Sequence, residues 1–148
     1  MHKIVALIAC TVFLALLTGC AALNNLTLNL PTEPTAINAE MGQPFTLSVG
    51  QTARIGLLRV TFVRVLEDSR CPIDVVCVWQ GNVKVQLALT RLGQPGRRVS
   101  LNSTLNPTEI DFKGFSVSFV DIQPTPVSNH PIARRTYQVT LRVTSAEK

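Results

Sequence analysis

"VKVQLALTR", Val83 to Arg91, sets an apolar side chain at every second position (Val83, Val85, Leu87, Leu89), with Lys84, Gln86 and Thr90 among the residues between. A strand turns successive side chains to opposite faces, so a period of two gives one dry face and one wet face. The same alternation runs through Phe45, Leu47, Val49; Leu58, Val60, Phe62; Val99, Leu101; Phe115, Val117, Phe119; and Tyr137, Val139, Leu141, Val143. Polar residues such as Thr46, Arg59, Thr61, Ser116, Ser118, Gln138, Thr140 and Arg142 fill the gaps. No segment carries an apolar stripe at helical spacing, so the reading is all-β, with antiparallel sheets solvated on one face.

Turn-forming residues separate these runs at Gly50-Gln51, Gly93-Gln94-Pro95-Gly96, Asn106-Pro107, Lys113-Gly114 and Gln123-Pro124-Thr125-Pro126. About seven strands are expected, near residues 45–49, 52–56, 58–67, 79–91, 97–104, 115–123 and 135–144. That number in one domain predicts a single immunoglobulin-like antiparallel β-sandwich over residues 45–148, with a small barrel as the alternative. After Phe62 the phase slips, because Val63 and Val65 are apolar while Arg64 falls between them; a β-bulge is expected there.

The chain opens "MHKIVALIACTVFLALLTGC": one cation at Lys3, an uncharged apolar run from Ile4 to Leu17, then small residues. This is the build of a secretory signal peptide, and the run falls short of the ~20 residues that span a bilayer. Leu17-Thr18-Gly19-Cys20 resembles the lipobox of bacterial lipoproteins. The resemblance implies cleavage after residue 19, an acylated Cys20 as the new first residue, and attachment to the lipid bilayer through its acyl chains. Ala21 is not the aspartate that retains enterobacterial lipoproteins at the inner membrane, so a diderm host would place the chain at the outer membrane, facing the periplasm. Residues 20–44, with Pro31, Pro34 and Pro44, lack periodicity and read as a flexible tether.

The formal charge is +5, or +4 once Lys3 is lost with the signal peptide. Cations are spread out apart from Arg97-Arg98 and Arg134-Arg135, and there is one Trp and one Tyr. A nucleic-acid surface would need a basic stripe with stacking aromatics, so no nucleic-acid partner is expected. No cofactor motif is present.

"EDSRCPIDVVCVWQGN", residues 67–82, holds the only closely spaced cysteines. Outside the cytoplasm paired thiols oxidise, so Cys71 and Cys77 are expected as a disulfide closing a short loop, with a chain-entropy gain of ~2.4 kcal/mol. A metal site using both cysteines with His130, Asp68 or Asp74 is the sharper alternative, although C-x5-C is wider than the usual ligand spacing. A thiol-redox centre would want C-x-x-C at a helix start, and no nucleophile elbow is present. Asp68 is expected to build a turn and Arg70 to pair with Glu67, Asp68 or Asp74. Trp79 is expected as a core plug over the disulfide. In the competing reading, Asp68, Arg70, Trp79 and Asn82 converge on a ligand.

Gly50 to Ala53, "DSRCP" at Asp68 to Pro72, Cys77, Trp79 and Gly81-Asn82, followed by a long alternating strand, resemble a family of bacterial secreted proteins and lipoproteins. The resemblance covers about residues 45 to 144. It implies a secreted, disulfide-stapled β domain, and the family brings with it no catalytic residue. The expected function is therefore a membrane-anchored envelope lipoprotein that binds or supports rather than catalyses, with an envelope protein or small ligand as partner. A small-ligand or metal-binding module using the 68–82 loop is the alternative, and a periplasmic thiol enzyme a third.

Overall fold

The computed structural model describes residues 36–146, and the signal peptide, Cys20 and most of the expected tether lie outside them. Among the described residues nine strands make two sheets. They are β1 (Ile37–Asn38), β2 (Pro44–Ser48), β3 (Thr52–Ile55), β4 (Leu58–Asp68), β5 (Val83–Arg91), β6 (Gln94–Asn102), β7 (Glu109–Phe112), β8 (Phe115–Gln123) and β9 (Gln138–Ser145). One sheet has the order β1-β3-β4-β5-β6 and the other β2-β9-β8-β7. All neighbours are antiparallel except β1 against β3. The chain is a β-sandwich. β3 to β6 and β7 to β9 run as two meanders, with β1 added beside β3 and β2 beside β9, which is not the immunoglobulin strand order.

The alternation predicts the core correctly. Leu58, Val60 and Phe62 of β4, Val83, Val85, Leu87 and Leu89 of β5, Leu47 of β2, and Val139, Leu141 and Val143 of β9 are all buried. They face one another across the two sheets as a single cluster. At ~1.5–3 kcal/mol for each large apolar side chain taken from water, this burial is the main force holding the fold. The expected slip in β4 is a register shift between Phe62 and Arg64, and a second one follows between Val65 and Glu67.

Several boundaries differ from the sequence reading, β9 for instance starting at Gln138 and not at 135. The sheet begins at Ile37, inside the stretch read as tether, because Ile37 and Asn38 pair with Ala53 and Arg54 along an open edge. The turn before β6 is only Leu92-Gly93, and Gln94 to Gly96 are already strand. Gly93 takes a positive φ of 75°, as a two-residue hairpin requires. The strand expected from residue 79 begins at Val83. Finally, β7 was not foreseen; it pairs with β8 through Lys113 and Gly114, both at positive φ.

Strand directions alternate along the chain. The connections 49–51, 69–82, 103–108 and 124–137 therefore lie at one end of the sandwich, the upper end, and the short turns 56–57, 92–93 and 113–114 at the other. Both long connections, 69–82 and 124–137, are at the upper end.

Candidate functional site

The 69–82 connection leaves β4 at Asp68 and returns at Val83, and backbone pairs zip its two roots together. Ser69 donates its amide to the Asn82 carbonyl (2.8 Å) and Cys71 to the Gln80 carbonyl (3.0 Å). Gly81 is required here: its φ is +75°, and a Cβ would stand 1.9 Å from the Ser69 carbonyl oxygen. Beyond this neck Cys71 and Cys77 form the expected disulfide. Ile73 donates its amide to the Pro126 carbonyl (3.1 Å), which ties the loop to the 124–137 connection of the other sheet. Asp74 accepts the Ser128 amide at 2.8 Å and the Ser128 hydroxyl beside it. These bonds hold the Asp74 carboxyl below its ordinary value.

Below the neck sits an ionic clamp. Arg70 donates Nε to Asp68 Oδ1 (2.9 Å) and an Nη to Oδ2 (2.7 Å), a two-pronged pair. The same guanidinium donates to the Ile122 and Pro124 carbonyls, both at 2.9 Å. Tyr137 Oη donates to Asp68 Oδ2 at 2.9 Å. Asp68 therefore joins β4 to the start of β9, and Arg70 joins the loop root to the end of β8, across the two sheets. Asp68 taken as a whole residue is exposed, but the Arg70 and Asp68 side chains keep only 15% and 13% of their surface. Burial alone would raise the Asp68 carboxyl. The Arg70 and Tyr137 hydrogen bonds and the Arg70 charge outweigh it, and the net direction is down. Burial, then the Asp68 contact, pushes the Tyr137 phenol up to about 12.

Asn82 has a separate task. Its Nδ2 donates to Asn102 Oδ1 (2.9 Å), while its Oδ1 accepts the Ser103 and Thr104 amides, each at 3.2 Å. It is a buried peg that caps the start of the 103–108 connection. Trp79 corrects the sequence reading: it does not plug the core but stands 58% exposed. Trp79 lies beyond the neck closed by the Ser69–Asn82 and Cys71–Gln80 pairs, outside the buried cluster.

The four residues of the ligand-grip reading thus do not converge. Asp68 and Arg70 spend their polar atoms on each other, on Tyr137 and on carbonyls; Asn82 faces another connection; Trp79 faces solvent. Only Asp68 lines the neighbouring groove of ≈ 390 Å³, with Arg64, Leu66, Glu67, Arg134 and Tyr137. The metal alternative meets a direct obstacle, since the disulfide occupies both thiols, Asp74 is bonded to Ser128, and His130 Nδ1 lies 3.0 Å from the Ser128 carbonyl.

What the loop offers instead is apolar surface. Val76 and Val78 are 102% and 106% exposed, and Ile73, Val75 and Trp79 are exposed beside them. Sequence reasoning missed this patch and also missed Tyr137 and Ser128 as partners. The run "VVCVW" could have signalled it, since five residues with no polar alternate do not form a half-buried strand. Comparison with protein-family models, with curated proteins and with solved structures yields no match.

Proposed function

We propose that the chain is a lipid-anchored lipoprotein of the cell envelope, held through an acylated Cys20. In this reading its β-sandwich is a non-catalytic binding or supporting module that works through the stapled 71–79 loop. One observation carries this: a loop closed by a disulfide, and clamped at its root by Asp68, Arg70 and Tyr137, presents valines with no cover at all. Small domains seldom keep such a rigid apolar projection without a use for it, because contiguous exposed apolar surface invites aggregation. Fixing the loop beforehand lowers the entropy lost on contact.

Two experiments test the reading. Fatty-acid labelling should mark the wild-type chain and be absent from Cys20→Ser; equal labelling would remove the anchor. A photo-crosslinking side chain at Val78 should capture envelope material in living cells, whereas one at Leu92, on the opposite end, should not. Equal capture from both ends would dismiss the loop as the working surface.

A further inference from the structure

We propose that the partner of the stapled loop is the bilayer itself: its tip seats in the headgroup region of an anionic membrane. This rests on the lipid-anchor reading above.

Two observations point there. The first is chemistry. The tip is Ile73, Val76, Val78 and Trp79, and the amphipathic indole is a side chain favoured at a membrane interface. From Cys71 to Gly81 the one ionisable side chain is Asp74, and Ser128 neutralises part of its cost by bonding both oxygens. The second is charge. The adjoining 124–137 connection, hydrogen-bonded to the loop, carries Arg134 and Arg135, both exposed. Cations behind an apolar tip match an interface of acyl chains beneath anionic headgroups.

Leu57 and Leu92 are also exposed, at the lower end, and provide the internal control. They sit on two-residue turns at the end of the sandwich opposite the stapled loop, so they should stay in water.

The sole tryptophan is at the loop tip, so the protein carries its own probe. The full chain, purified with its acyl chains and reconstituted into phosphatidylethanolamine–phosphatidylglycerol vesicles, should show blue-shifted Trp79 emission. Lipids brominated on the acyl chains should quench it, at a depth of ~5–10 Å into the headgroup–acyl boundary. Val76→Asp/Val78→Asp should lose both the shift and the quenching while keeping the parent's melting temperature. Leu57→Asp/Leu92→Asp should retain both. Mass analysis of the same preparation reads Cys20. An acylated, vesicle-bound chain whose Trp79 remains open to aqueous iodide overturns the insertion and leaves the anchor standing. A chain without acyl groups whose Trp79 is quenched removes the anchor and leaves the insertion. Val78 crosslinking to a protein in cells, with no lipid quenching in vesicles, makes the loop a protein-docking surface and overturns this proposal.

Discussion

Replacing Arg70 by Met keeps most of the stem and removes the whole guanidinium. Four hydrogen bonds go with it, two to the Asp68 carboxylate and two to the Ile122 and Pro124 carbonyls. Hydrogen bonds to charged groups contribute about 1.5–3 kcal/mol each when measured singly, but these four share one desolvation and do not add. An exposed ion pair would contribute at most about 1 kcal/mol, and breaking a buried one costs about 3–5. With side chains 15% and 13% exposed, the clamp lies nearer the buried case, so we expect a loss of about 3 kcal/mol. For a domain of this size that is a fall in Tm of roughly 10–15 °C. Urea melts followed by circular dichroism measure the free energy, and a double-mutant cycle with Asp68→Asn isolates the pair. The acid limb adds a sign check. The Asp68 carboxyl is lowered from 3.8 in the fold, so its contribution is complete above that value and is lost as pH falls through the lowered folded value. The gap between wild type and Arg70→Met should therefore narrow as the medium is taken below pH 3.8. A loss under about 0.5 kcal/mol at neutral pH would refute the clamp as the link between the sheets.

Trp79→Ala, which a core plug would make costly at ~3–5 kcal/mol, should cost under about 1 kcal/mol because the indole is largely in water; thermal melts decide. Tyr137 is the one tyrosine, so ultraviolet titration of the phenol reads it alone: it should ionise near 12, and Asp68→Asn should bring it down. Because this folded value is raised from 10.0, the stability it contributes is complete below that pH and is lost as pH rises toward 12. Gly81→Ala should lower stability by at least about 1–3 kcal/mol, since a Cβ would strike the Ser69 carbonyl at a positive φ; a melt like the parent's would contradict the neck geometry. Alkylation without reductant should find Cys71 and Cys77 closed, and Cys71→Ser/Cys77→Ser should cost about 2 kcal/mol while leaving the clamp below the neck intact by hydrogen exchange.

Alternation is a local property, and it was enough to mark the strands that fill the core and the bulge after Phe62; turn-forming residues, equally local, marked Lys113-Gly114. The disulfide was equally legible, because two cysteines six positions apart in a chain whose opening reads as a signal peptide have few other expected partners. Edges were harder. Ile37–Asn38 and Glu109–Phe112 are short strands whose pairing depends on what lies beside them, not on their own pattern. The site was hardest of all. Arg70 meets Ile122 and Pro124 at separations of 52 and 54 residues, and Asp68 meets Tyr137 at 69; no local spacing encodes such meetings. Trp79 was misread for a related reason. Hydrophobicity says that a side chain gains by leaving water, but only the packed sandwich decides whether space remains for it. Here the neck at Ser69–Asn82 and Cys71–Gln80 closes between the core and the loop, and the tertiary structure leaves the tryptophan and its valines outside.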